Sequence, residues 1–132
     1  MKKKVYIAGP MTGLDCFNFE SFFVMARCLR KAGYEVVNPA QRDTERMFDG
    51  WVFSLDQYPD ILMRDLTMIK DECFCLVQLN GWKDSKGAKV ETAFARAIGV
   101  KIVSEEEIDK SISDNPFEPI DMIIKSIIGD HL

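Results

Sequence analysis

At 132 residues, with 47% hydrophobic and 29% charged side chains, the chain has the composition of a soluble globular protein and the length for one self-supporting core. A net charge of −4 excludes a general polynucleotide binder, which needs clustered Lys and Arg to displace counterions. No apolar stretch reaches the length of a bilayer span and the N-terminus lacks a secretion signal's apolar core; the expectation is a cytoplasmic protein without a membrane partner.

The basic run Lys2-Lys3-Lys4 reads as a solvated strand start. Lys4 to Ala8 follows as a first strand, rich in β-branched and aromatic residues and closed by Gly9-Pro10. After a loop through Gly13, Phe19, Phe22, Phe23 and Ala26 recur at helical spacing and predict a helix over about Phe17 to Ala32, with Asn18 or Asp15 as cap and Gly33 as stop. Tyr34 to Val37 is a second short strand, closed by Asn38-Pro39. A polar segment with a helical turn near Asp43 to Met47 comes next.

Pro59 suits the first turn of a helix running to about Lys70. The continuous apolar run Cys73 to Leu79 predicts a strand covered on both faces. Asn80 to Asp84 is a loop, Ser85 a good N-cap for a helix extending to Ile98, and Gly99 its stop. Val100 to Val103 is a fourth strand, Glu105-Glu106-Glu107 opens a short helix, and Phe117 to Ile128 gives a last amphipathic helix. Its Ile120, Ile123, Ile124 and Ile127 would pack on the core or on a second subunit.

This alternation calls for an α/β fold of three layers, Rossmann- or flavodoxin-like, as one domain over residues 1–132. Right-handed crossovers give the strand order 2-1-3-4, with a switch point between strands 1 and 3. Ligands in such sheets bind outside the carboxyl ends of the strands. The segments there are Ala8 to Gly13, Asn38 to Arg42, and Asn80 to Gly87.

Chemistry on those segments has to come from carboxylates. Cys16, Cys28, Cys73 and Cys75 contain no C-x-x-C pair, and Cys73 and Cys75 sit in the apolar strand as small core residues. The single histidine, His131, is next to the C-terminus, so neither a His-based triad nor a metal site is expected. Helix arithmetic picks out two acids. Asp65 falls inside the apolar face made by Ile61, Leu62, Leu66, Met68 and Ile69, and a carboxylate there needs a reason. Either it is locally paired or it reaches a ligand. Glu91 lies on the flank of a core face assigned to Val90, Phe94, Ala97 and Ile98, with Lys89, Thr92 and Arg96 facing water. An ordinary boundary ion pair is the plain alternative. One turn earlier stands Gly87, which weakens the helix start by about 1 kcal/mol relative to alanine but permits close backbone approach.

Gly9 to Gly13 could present N–H groups to an anion, but it is neither G-x-G-x-x-G nor a Walker loop, so dinucleotide and ATP/GTP motifs are absent. No cofactor is expected. Tyr6 and Trp82 are either base-stacking or packing residues, and Trp51 and Tyr58 carry the same ambiguity. Arg64 reads as a surface charge.

The residues Val5-Tyr6-Ile7-Ala8-Gly9-Pro10, Arg64-Asp65-Leu66 with the Cys73 to Leu79 strand, and above all Gly81-Trp82-x-Asp84-Ser85-x-Gly87-Ala88-x-x-Glu91 resemble the nucleoside 2-deoxyribosyltransferase-like superfamily. The likeness is to its small bacterial and phage members and to its 2-deoxynucleoside 5′-monophosphate N-glycosidases, over about residues 4 to 103. The resemblance implies that Glu91 is a nucleophile attacking the anomeric carbon to form a glycosyl ester, which water or a second base resolves. It implies that Asp65 binds sugar hydroxyls and positions Glu91, and that Ser85 and Gly87 bind phosphate or hydroxyl groups. Asp84 is a candidate for proton transfer. The substrate-binding set completes with Tyr6, Gly9, Pro10, Met11, Gly13, Asn38, Trp82 and Asp84. The partner implied is a nucleoside or nucleotide, and the assembly a homodimer or larger homo-oligomer. The first loop departs from the monophosphate hydrolases, having Met11-Thr12 where they carry a basic residue, so Arg42 or Lys86 would have to supply the charge. A non-catalytic nucleotide-binding module is the competing expectation, and a structural protein that has lost the site is a third.

Overall fold

The four predicted strands pair in one parallel sheet in the order β2-β1-β3-β4, as alternation with right-handed crossovers requires. The computed structural model describes residues 2–11, 18–41 and 58–130. Expectations for Gly13, Asp15, Cys16, Arg42, the turn at 43–47, Trp51 and His131 lie outside these residues. The elements are β1 (Lys4–Ala8), α1 (Phe19–Lys31), β2 (Glu35–Val37), α2 (Tyr58–Glu72), β3 (Cys73–Gln78), a 3₁₀ turn (Trp82–Asp84), α3 (Lys86–Ala97), β4 (Lys101–Ser104), α4 (Glu105–Asp114) and α5 (Ile120–Ile128). No described helix is long and apolar enough to cross a membrane.

Alternation along the strands divides the interior into two cores. Val5, Ile7, Val77 and Val103 face Phe22, Ala26 and Leu29 of α1, Ile108 of α4, and Ile124 and Ile128 of α5. Tyr6, Ala8 and Leu76 face Met68 and Ile69 of α2 and Ala88 and Ala95 of α3. The result is a three-layer, Rossmann-like α/β fold. A register shift between Lys4 and Val5, paired with Cys73 and Cys75, sends these cysteines to opposite cores. Burial pushes both thiols up to about 12, so they are small apolar residues at neutral pH.

Three local expectations are corrected. Asn18 stands at the N-cap of α1 in the left-handed region (φ 60°) and makes no side-chain cap bond; its Nδ2 instead donates to Pro10 O at 3.0 Å, tying the helix start to the β1 loop. The last helix begins at Ile120, not Phe117, because Pro119 takes the N-cap position, and Phe117 is 98% exposed. Of its isoleucines, Ile123 and Ile124 enter the core and Ile120 stays exposed.

The third correction bears on the site. On α3 the buried face is Ala88, Glu91, Thr92 and Ala95, whereas Val90 (43%) and Ile98 (38%) are exposed and Ala97 is too. Phe94 alone of the expected set packs partly on the core. The helix carries two apolar stripes, and the one with small residues is turned inward, where Ala88 and Ala95 let the helix lie close against the sheet. Glu91 is therefore on the inner face of the helix, not on its flank, and Thr92 is buried rather than wet.

Candidate functional site

The sheet face covered by α2 and α3 is apolar near the start of the strands and polar toward their carboxyl ends. Tyr6, from the middle of β1, is wholly buried, and its hydroxyl donates to Glu91 Oε2 at 2.5 Å, a short hydrogen bond. Asp65, 6% exposed, comes from α2, and Glu91, 7% exposed, from α3; the two carboxyls are near enough that Asp65, by its charge and by hydrogen bonding, favours the protonated form of Glu91. Beside them Gln78, near the end of β3, donates from Nε2 to Thr92 Oγ1 at 3.4 Å.

Arg64 donates from Nε to Asp65 Oδ1 at 2.9 Å and its second nitrogen lies 2.7 Å from the same oxygen, so the surface charge expected from sequence is the counter-ion of a buried acid. A buried carboxylate left uncompensated is costly, and the neighbouring position on the helix supplies the cation by curling its long side chain back. The guanidinium gives Asp65 a counter-ion in direct contact. Glu91 is pushed up to about 8, first by burial and then by the negative charge of Asp65, with the Tyr6 hydrogen bond and Arg64 opposing. Burial and the Asp65 charge thus favour the protonated form of Glu91, while Tyr6 donates to one of its oxygens.

Toward solvent from the pair, the first turns of the two helices meet through Tyr58 and Gly87. Ser85 caps α3, its Oγ accepting from Ala88 N at 3.2 Å, as its position predicts. A Cβ on Gly87 would stand 2.8 Å from the Tyr58 hydroxyl, so a side chain there would have to displace the end of that tyrosine. Burial raises the Tyr58 hydroxyl, and the negative charges of Glu91 and Asp65 raise it further.

The structure thus brings together Tyr6, Asp65, Ser85, Gly87 and Glu91 of the residues singled out by sequence, and adds Arg64, Tyr58, Gln78 and Thr92. Tyr6 presents no ring face for a base, since it is enclosed in the core and supports Glu91 from beneath. The remaining residues have other surroundings. A Cβ on Gly9 would meet Leu79 Cβ at 2.8 Å, which makes packing the reason for that glycine. Pro10 lies against Gly81, and Met11 packs on the core of the opposite sheet face. Asn38, at the end of β2, is buried; its Oδ1 accepts from Ala40 N at 3.0 Å, and its Nδ2 has no hydrogen-bond partner among the described residues. Trp82 packs partly on the α2–α3 core with Lys83 Nζ 5.9 Å from its ring centroid, and Asp84 is exposed on the 3₁₀ turn.

Two of the additions carried a signal. Tyr58 precedes Asp65 by seven residues, two helical turns, and so shares its stripe; Arg64 adjoins the one acid on an apolar face. Gln78 and Thr92 carried none. Among the described residues no group of three or more His, Cys, Asp or Glu is placed to hold a metal ion.

Fold and site define a Rossmann-like α/β protein with a buried, cation-balanced carboxylate pair at the carboxyl end of its sheet. The chain belongs to the family described as "Domain of unknown function (DUF4406)", which matches residues 3–104. That span holds every residue of the site. No curated protein matches the chain.

Proposed function

We propose that the protein cleaves the N-glycosidic bond of a 2-deoxynucleoside or its 5′-monophosphate, or transfers its base, through a glycosyl ester on Glu91. The observation that carries this reading is the buried Glu91–Asp65 pair, with Arg64 in contact with Asp65 as its counter-ion. Asp65 is an acceptor for sugar hydroxyls. A hydroxyl bound there takes the place of the contact with Glu91; the Glu91 proton passes to solvent, and the carboxylate so formed attacks the anomeric carbon. An Oε–C1′ bond forms as the C1′–N bond breaks. The base leaves with the electron pair and takes a proton from solvent; water or a second base then displaces the ester and Glu91 is regenerated. Tyr6 stabilises the ionised form of Glu91 from below. A homodimer or larger assembly belongs to the same reading, and the exposed stripe of Val90, Ala97 and Ile98 on α3 is apolar surface that it would cover.

A second reading, a nucleotide-binding module without turnover, draws support from the protonated state of Glu91 at neutral pH. One experiment separates the two. The protein is incubated with a panel of deoxynucleosides and their monophosphates, with and without an acceptor base, and released or exchanged base is measured by chromatography beside Glu91→Ala. Release by the parent and not by the variant supports the enzyme. Binding by both with release by neither replaces it with the module.

A further inference from the structure

Along α2, Tyr58 and Asp65 stand two turns apart and within about 20° of one stripe; along α3, Gly87 and Glu91 stand one turn apart on theirs. The helices face each other through these positions in two rungs. The inner rung is the carboxyl pair. The outer rung is Tyr58 against Gly87, where the phenol oxygen occupies the space a Cβ would need. About 6 Å of helix rise separates Gly87 from Glu91, a distance of the order of a furanose ring. A sugar whose reacting carbon meets Glu91 therefore has its far side at the outer rung.

Tyr58 is half-buried and its ring reaches across to α3 with the hydroxyl foremost. Nothing about the packing of an α2–α3 seam calls for a phenol oxygen there, since a phenylalanine would fill the same ring volume. The negative charges of Glu91 and Asp65 act on its hydroxyl, in keeping with a position on the same side of the two helices. With Ser85 Oγ 4.0 Å from the Gly87 Cβ position, the outer rung carries two hydroxyls.

The geometry points to Tyr58 as a substrate-contacting, specificity-determining residue: its hydroxyl hydrogen-bonds a sugar oxygen remote from the anomeric carbon, and Gly87 is glycine to leave it that position. This rests on the glycosidic reading above for the identity of the ligand, but not on turnover. Tyr6 and Tyr58 then divide the work, one holding Glu91 from beneath and the other the sugar from the solvent side.

The test is a cycle between protein and ligand. Binding is measured by calorimetry in a Glu91→Gln background, which removes turnover, for whichever of the four common 2′-deoxynucleosides binds best and for its 2′,3′-dideoxy and 2′,5′-dideoxy analogues, with and without Tyr58→Phe. The expected result is a loss of about five- to tenfold for the parent nucleoside on Tyr58→Phe, the worth of one neutral hydrogen bond, and no loss for the analogue lacking the oxygen that Tyr58 contacts. Gly87→Ala, which displaces the hydroxyl while leaving the phenol present, should reproduce that pattern. An equal penalty on all three ligands, or none on any, overturns the proposal, as does failure of every nucleoside to bind. Thermal unfolding of each variant confirms that it is folded. Base release by the unsubstituted protein is scored separately: an intact cycle without release sinks the enzyme reading and leaves the role of Tyr58 standing.

Discussion

Replacing Glu91 by Gln should make the protein more stable at alkaline pH while abolishing base release. In the folded chain the Glu91 carboxyl titrates at about 8, against 4.5 for the ordinary group. Between those values the native state holds a proton that the unfolded state has lost, so stability falls as pH rises. The contribution is fully present below 4.5, declines across the window and is gone above about 8. At about 1.4 kcal/mol per pH unit, the difference between 4.5 and about 8 sets an upper bound of about 5 kcal/mol. Glutamine keeps an oxygen to accept from Tyr6 and an N–H to donate to Asp65, and it has no charge to bury. Urea unfolding of both proteins at fixed ionic strength from pH 5 to 9 measures the effect. Titrations common to both cancel, and the difference between the two curves should grow by at least about 2 kcal/mol in favour of the variant, a conservative share of that bound. Parallel curves, to within roughly 0.5 kcal/mol, would refute the assignment of a raised, buried Glu91.

Three further outcomes follow from the same geometry. If Glu91 must be ionised to attack, kcat/KM for base release rises about tenfold per pH unit toward about 8 and levels above it; a flat profile from pH 6 to 9 would disconnect Glu91 from the chemistry. Arg64→Gln removes the cation from Asp65 and should cost about 3 kcal/mol in urea unfolding, a loss near zero meaning that the pair is solvent-compensated. Ser85→Ala deletes the cap on α3 and should cost about 1 kcal/mol, read as a lowered thermal midpoint.

The strand order was legible because it follows from alternation and handedness, neither of which depends on detailed packing. Asp65 was legible for a related reason: it is an acid amid Ile61, Leu66 and Ile69, and only one stripe of α2 is apolar enough to face inward. Glu91 was placed one step off. Its helix offers the bulky stripe Val90, Phe94, Ala97 and Ile98 and the small-residue stripe Ala88, Thr92 and Ala95, and hydrophobicity favours the first. The sheet takes the second because close approach, together with the polar contacts of Glu91 and Thr92, outweighs the larger apolar area. Arg64 was misread, and Asn18, though it holds the N-cap position, directs its side chain elsewhere, for another reason. Each has a side chain able to serve either of two neighbours, and only the tertiary arrangement decides which.

The two faces of the sheet differ in a way that bears on why the polar cluster is there. The core beneath α1, α4 and α5 is built of apolar residues, whereas the side beneath α2 and α3 encloses Asp65, Gln78, Glu91 and Thr92. Buried ion pairs are poor sources of stability, and well-packed apolar residues of similar size often replace them at no loss. If the cluster serves only the fold, removing all of it together should destabilise the protein as removing Arg64 alone does. If it serves a ligand, the triple variant Tyr6→Phe, Asp65→Leu, Glu91→Met takes away the hydroxyl and both carboxyls together, and Arg64, already partly exposed, can turn to water. That variant should match or exceed the parent by about 1–4 kcal/mol at pH 8 and bind no nucleoside. A loss of several kcal/mol with binding intact would reverse the argument and make the carboxylate pair a structural device.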